Sequence, residues 1–136
     1  MANALYDLGR ESFLNGEINW TSNNIKCVLV KSTYTPDLAA HQFISDIGAS
    51  HRVVTSSNLL GKSTTAGVAD AADEVLSAVS GDQAVYIVIY QDTGVEATSR
   101  LIALLDTATG LPVTPNGNDI TLMWDNTSGG DGIFKL

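Results

Sequence analysis

The chain carries few histidine and cysteine side chains, the residues that most often bind zinc and among those that most often act in catalysis. In 136 residues it has two histidines, His41 and His51, and one cysteine, Cys27. A zinc site needs three or four ligands at defined spacing, and neither histidine has a cysteine or a second histidine close to it in the sequence. The pattern predicts that both histidines lie on polar surface segments. Cys27 stands inside an apolar run, which predicts a core residue and leaves no partner for an internal disulfide.

Residues 60–63 read Leu-Gly-Lys-Ser, the end of a phosphate-binding loop pattern. The full pattern requires another glycine five residues before Gly61, because two glycines let the backbone N–H groups surround a phosphate. That position is Ser56, and the segment has neither a strong strand before it nor a helix after it. We therefore predict a solvated turn.

Two acidic stretches raise the question of a cation site. Asp70, Asp73 and Glu74 form the densest acidic cluster, and residues 125–131 read Asp-Asn-Thr-Ser-Gly-Gly-Asp. Calcium loops gather several oxygen ligands, and the EF-hand closes with a bidentate glutamate. The second stretch lacks that glutamate. We predict a solvated face and a hairpin loop, with no bound metal.

Catalytic carboxylates and serines are also poorly supported. Asp92 and Glu96 are candidates for a glycosidase pair, but they stand in a predicted turn, whereas such pairs need rigid support. No Gly-x-Ser-x-Gly motif occurs. The sequence thus predicts a non-enzymatic protein without catalytic residues, cofactor or small-molecule substrate.

Charge and hydropathy restrict the partners. Seven basic and 15 acidic residues give a net charge of −8 and a pI near 4.3, and the basic residues are scattered. Nucleic-acid binding and attachment to anionic lipid both depend on basic patches, so neither is expected. The longest apolar runs are six and five residues, far below the ~20 that span a bilayer. The N-terminus lacks the features of a secretory signal.

The first half of the chain predicts two helices and two strands. Residues 4–15 favour a helix that Asn3 caps and Gly16 ends, followed by Ile18 and Trp20 facing the core. Residues 25–30 predict a central strand, since both of its faces are apolar. Residues 37–47 favour a short second helix or helical turn with Asp37 as N-cap, and residues 51–55 a short strand.

The second half predicts a series of strands joined by turns. The expected strands are residues 74–79, 85–90, 99–106, 119–125 and 133–136. Residues 80–82 and 125–132 are interpreted as hairpin loops, and Phe134 and Leu136 as core residues. Such spacing is typical of a sandwich or barrel. The fold class is therefore mainly β: a single-domain antiparallel β-sandwich or open barrel (1–136), with an N-terminal helix and connection (1–20), a β-rich body (25–136) and a short second helix.

Several segments together resemble a family of small virion structural proteins of tailed bacteriophages. The opening residues 3–20, NALYDLGRESFLNGEINW, carry the resemblance with 25–30, IKCVLV. It continues through 43–47, FISDI; 67–71, GVADA; 92–94, DTG; 111–117, LPVTPNG; and 133–136, IFKL. The resemblance covers essentially the whole chain and implies a virion component with no catalytic residues to carry over.

Within this family our first hypothesis is a capsid decoration (cement) protein that binds the outer face of the major capsid protein and itself, as a homo-oligomer such as a trimer, because the chain is short and acidic and its N-terminal segment is amphipathic. It would be made in the host bacterial cytoplasm and lie on the capsid surface of the virion. A tail-tube or tail-associated protein is the alternative. A glycan-binding module using Trp20 and Trp124 is a third hypothesis, although both tryptophans stand in patterns typical of buried residues. The predicted interface residues are Leu5, Tyr6, Phe13, Asp92, Thr93, Glu96, Asn126 and Asp131.

Overall fold

The computed structural model describes residues 3–107, 111–124 and 132–136, and it is mainly antiparallel β. One α-helix, α1 (Asp7–Leu14), follows a two-residue strand, β1 (Ala4–Leu5). The other strands are β2 (Ile25–Lys31), β3 (Arg52–Thr55), β4 (Val68–Ala69), β5 (Glu74–Leu76), β6 (Ala84–Gln91), β7 (Leu101–Leu105), β8 (Ile120–Leu122) and β9 (Phe134–Lys135). The predicted fold class, a single antiparallel β domain with an N-terminal helix, is confirmed.

A five-stranded sheet in the order β1-β7-β6-β2-β3 forms the body. β2 lies between β6 and β3, as the apolar residues on both of its faces predict. Cys27 and Leu29 pack into the core on one face, whereas Val28 and Val30 pack on the other. Cys27 is fully buried, and burial raises the pKa of its thiol to about 12. It is the predicted core cysteine.

Two small sheets, β4–β9 and β5–β8, share a core with one face of the large sheet. Ile18, Trp20, Trp124 and Phe134 are buried in this core, as predicted for the two tryptophans and Phe134. The Trp20 ring meets the Phe134 ring edge-on at a centroid distance of 5.3 Å. The layers are thus joined by aromatic packing.

The N-terminal helix begins three residues later than predicted. Ala4 and Leu5 pair with β7, and the Tyr6 N–H donates to the Ile102 carbonyl at 2.9 Å. Asn3 is not a helix cap, because its Oδ1 accepts the N–H groups of residues 106 and 107. Residues 4–6 form backbone hydrogen bonds with the edge strand β7, and these bonds compete with helix formation. Helix propensity does not include such long-range bonds, so the helix begins only after them.

The predicted second helix, residues 37–47, is a turn followed by a single 3₁₀ turn, Ile44–Asp46. Asp37 does cap its segment, because its Oδ1 accepts the N–H groups of Ala39 and Ala40. The chain then runs beside the start of β7, where the Ile44 N–H donates to the Ser99 carbonyl and the Leu101 N–H donates to the Gln42 carbonyl. These bonds to a distant segment replace the continuation of a helix.

Two predicted hairpins are wrong. The turn at residues 80–82 does not join paired strands, since β5 pairs with β8 instead of β6. The last two strands do not pair with each other either, because β9 pairs with β4; residues 125–131 of their predicted loop lie outside the described residues. Leu136 was predicted to be core but is 62% exposed. β4 begins at Val68, which pairs with Lys135, so Leu136 lies opposite Gly67, outside the paired residues of this small sheet.

Candidate functional site: an apolar groove and a braced loop

The predicted interface residues of the N-terminal segment have different surroundings. Tyr6 is fully buried, and therefore its selection as an interface residue is corrected. Its hydroxyl is 2.9 Å from the hydroxyl of Tyr34, which is 2.8 Å from Nδ1 of His41. Burial raises the pKa of both tyrosines. This buried chain of polar groups holds residues 34–41 onto the sheet.

Leu5 and Phe13 line a surface groove of about 400 Å³ between α1 and β9. Leu14 and Leu136 complete its apolar lining and are among the most exposed large apolar side chains, at 89% and 62%. Arg10 and Lys135 complete the lining with positive charge. We call this set the helix groove: Leu5, Arg10, Phe13, Leu14, Lys135 and Leu136. An exposed apolar surface with a polar margin is typical of a protein contact site.

The two cations of the helix groove differ from the other basic residues. Arg10 makes only a long contact of 3.7 Å to Asp7, with both side chains more than half exposed. No ion pair joins Lys135 to another described residue. The remaining basic residues are held by closer contacts to acids or, for Lys62, to carbonyl oxygens: Lys26, Lys31, Arg52, Lys62 and Arg100. The groove therefore carries the most accessible positive charge of the described chain.

Asp92, Thr93 and Glu96 lie in the loop between β6 and β7, which is braced at both ends. Asp92 pairs with Lys26 at 2.8 Å, and Glu96 pairs with Arg52 at 2.7 Å. The two carboxylates are thus tied separately to different cations and do not form a catalytic pair in this structure.

Hydroxyl groups hold the tip of the same loop. The carbonyl oxygen of Val95 accepts hydrogen bonds from Thr93, Thr98 and Ser99 at 2.8–3.2 Å. The Val95 side chain itself is 57% exposed. Residues 92–98 therefore form a braced loop with an apolar tip, and the residue that sequence reasoning missed there is Val95.

The Asp92–Lys26 pair predicts a contribution to stability that depends on pH. Hydrogen bonds from Lys26 and from the Gly94 N–H hold the pKa of Asp92 below its ordinary 3.8. Because the pKa of Asp92 is lower in the folded than in the unfolded protein, ionised Asp92 stabilises the fold fully above pH 3.8. This stabilisation is lost as the pH falls through the pKa of the folded state. We expect Asp92→Asn to cost up to about 1 kcal/mol at pH 6, and the difference from wild type to shrink towards zero below pH 3.8.

Urea unfolding of both proteins between pH 6 and 3 measures that difference. Lys26→Gln serves as the matched control, since it removes the partner of the same pair. The double variant should lose no more at pH 6 than the costlier single variant, because both changes abolish one interaction. A constant difference between wild type and Asp92→Asn across the range would contradict the prediction.

The other sequence candidates for chemistry have structural roles. Oδ1 of Asp73 accepts the Trp124 N–H at 3.0 Å, and Oδ1 of Asp70 accepts the Ala71 N–H at 2.8 Å. Burial raises the pKa of Glu74 and lowers that of Lys62. Within residues 3–107, 111–124 and 132–136, no group of three or more His, Cys, Asp or Glu side chains is placed to hold a metal ion.

Both tryptophans are buried, as their sequence patterns predict. The Trp20 indole N–H donates to the Asp70 carbonyl, and the Trp124 indole N–H donates to the Ala72 carbonyl, each at 3.1 Å. Trp20 borders a groove of about 270 Å³, but it is 4% exposed and Trp124 is 7% exposed. Neither ring therefore offers the open aromatic platform that motivated the glycan-binding hypothesis. Asn126 and Asp131, the last two predicted interface residues, lie outside the described residues.

No model of a known protein family matches the chain, and no curated protein matches its sequence. In the part of the chain that the structure describes, no helix is long and apolar enough to cross a membrane.

Proposed function

We propose that this chain is a non-enzymatic structural protein of a phage virion, and specifically a capsid decoration protein that binds the outer face of the major capsid protein. The observation that carries the proposal is the presence of two exposed apolar surfaces, the tip of the braced loop with Val95 at 57% exposure and the helix groove with Leu14 at 89%. Covering a large exposed apolar side chain with another protein lowers the free energy of the complex by roughly 25 cal/mol for each Å² of apolar surface removed from water. The body behind these surfaces is a sheet covered on both faces, which suits a rigid shell component.

The braced loop supports the same proposal and supplies a second contact surface. Binding costs less when a loop is already ordered in its bound form, because little conformational entropy remains to be lost. The hydroxyl contacts around the Val95 carbonyl and the two ion pairs provide such order. We assign the Val95 tip to contact with the capsid lattice and the helix groove to contact with a neighbouring decoration subunit.

Binding of the purified protein to phage heads that lack it tests this function. We expect wild type to co-sediment with the heads, and Val95→Asp to bind at least tenfold more weakly, since a buried unpaired carboxylate is costly. Leu60→Asp is the matched control, because Leu60 is 70% exposed and lies outside both contact surfaces. It should bind heads as wild type does.

Mass spectrometry of separated heads and tails distinguishes the proposal from a tail protein. Detection in heads, at a copy number proportional to that of the capsid protein, is the expected result. Detection only in tails, with no binding of the purified protein to heads, would replace the decoration role with a tail-associated one.

A further inference from the structure

The outward face of the β5–β8 sheet is a second exposed apolar surface, and its charge is opposite to that of the helix groove. Residues at alternating positions of both strands are exposed, while Leu76, Leu122 and Trp124 point into the core. Val75, 51% exposed, lies opposite Thr121, and Met123 is 68% exposed. We call this surface the acidic face: Asp73, Val75, Ser77, Asp119, Thr121 and Met123.

The acidic face lies in a part of the chain that has almost no positive charge. Between Lys62 and Lys135 the sequence contains ten acidic residues and one basic residue, Arg100. Arg100 is paired with Glu17 at 3.0 Å. Asp73 and Asp119 are themselves exposed, and each accepts a hydrogen bond from a backbone N–H group, of Trp124 and Ala78 respectively. The negative charge beside Val75 and Met123 is therefore not balanced by a cation of the same face.

We infer that the helix groove of one copy binds the acidic face of a second copy of this chain. Each surface has two well-exposed apolar side chains, and Arg10 and Lys135 of the groove match Asp73 and Asp119 of the face in number and in sign. Complementary charge favours this pairing over groove-to-groove or face-to-face contacts, which place like charges together. Asp7 and Glu11 of α1 do not line the groove.

A contact between two different surfaces is heterologous, so repeating it closes a ring when the rotation permits. The inference deepens the proposed function, since it names the surfaces through which decoration subunits join one another. It also predicts salt sensitivity, because exposed charges at the margin of a contact are screened within about 10 Å at 0.1 M ionic strength.

Exchange of charge between the two surfaces tests the pairing in solution. Arg10→Glu/Lys135→Glu makes the groove acidic, and Asp119→Lys/Met123→Lys makes the face basic, since only Asp73 then remains against two lysines. Light scattering of wild type at ~100 µM protein should give a mass at least twice the monomer mass of 14.3 kDa. Each double variant alone should be monomeric, because its groove and face then carry like charges and its dissociation constant rises at least tenfold. An equimolar mixture should assemble again, since both contacts between the two variants pair opposite charges.

Leu60→Lys, a similar change at an exposed site outside both surfaces, should assemble as wild type does. If a double variant fails to fold, the single variants Arg10→Glu and Met123→Lys enter the same mixing experiment. Wild type at 14.3 kDa throughout, or a mixture of folded variants that stays monomeric, overturns the inference.

The head-binding experiment remains independent of this result. A chain that is monomeric but decorates heads would overturn only the self-association. A chain that assembles through the two surfaces but binds no heads would retain the inference and contradict the proposed function.

Discussion

Trp20→Ala is expected to lower the free energy of unfolding by about 3–5 kcal/mol, the usual cost of deleting a large buried aromatic side chain. Trp20 is 4% exposed and packs edge-on against Phe134 of β9. Its indole N–H also binds the Asp70 carbonyl, directly after β4. The side chain thus joins the segment before β2 to the small β4–β9 sheet, and its loss leaves a cavity between these layers.

Trp20→Phe separates the packing from the hydrogen bond. The Asp70 carbonyl also accepts the Ser63 N–H at 3.0 Å, so it keeps one donor when the indole N–H is removed. We therefore expect Trp20→Phe to cost less than Trp20→Ala, about 1–2 kcal/mol. Leu60→Ala, at an exposed site, should change stability by less than about 0.5 kcal/mol. Guanidinium unfolding measures all three, and equal costs for Trp20→Ala and Leu60→Ala would contradict the packing described above.

Gly9→Ala is expected to destabilise the protein by about 2–3 kcal/mol, although the same change in an open helix stabilises it. A Cβ at Gly9 would lie 2.5 Å from the Leu101 carbonyl oxygen and 3.1 Å from Cα of Ile102. Both neighbours are backbone atoms of β7 and cannot rotate away, so the helix or the strand must move. In a solvent-exposed helix interior, alanine is about 1 kcal/mol better than glycine. The sign of the effect is therefore a direct test of the close approach of α1 to β7.

Gly48→Ala is the matched control for Gly9→Ala. The backbone φ at Gly48 is −55°, which any residue adopts, and an added Cβ would be 3.6 Å from the His51 ring. Thermal unfolding should place this variant within about 2 °C of wild type, whereas Gly9→Ala should lower Tm by roughly 5–12 °C. Hydrogen exchange of the Tyr6 N–H, bound to Ile102, should accelerate in Gly9→Ala. A Gly9→Ala variant as stable as wild type would show that α1 does not contact β7 this closely.

The strands of the body were predictable because their own composition requires burial. The runs at residues 25–30 and 85–90 are apolar on both faces, and an extended segment of this kind is stable only inside a sheet that is covered on both sides. The alternation of Leu122, Met123 and Trp124 along the sequence matches the one buried and one exposed face of this segment in the structure. The isolation of Cys27 and the separation of the histidines were likewise readable from the sequence alone.

The candidate contact surfaces were only partly predictable. Leu5 and Phe13 were selected from their apolar character, and they do line the helix groove. Tyr6 is also largely apolar, but its side chain points into the core. Its hydroxyl there forms a hydrogen bond with the hydroxyl of Tyr34, a residue 28 positions further along the chain. Nothing local to the sequence distinguishes these three residues. The exposure of Leu14, Val95 and Leu136 likewise depends on which neighbouring elements fail to cover them.

The sequence by itself determined that residues 25–30 and 85–90 are extended, that the fold is antiparallel β and that the tryptophans are buried, because periodicity and residue volume act locally. Tertiary structure alone decided the pairing of β5 with β8 and of β4 with β9, since strand pairing depends on contacts between residues far apart in the chain. It also decided where α1 begins, because the edge of β7 competes for the N–H groups of the same residues. The helix groove and the acidic face arise from these long-range choices, and therefore the surfaces proposed to bind could be located only in the folded chain.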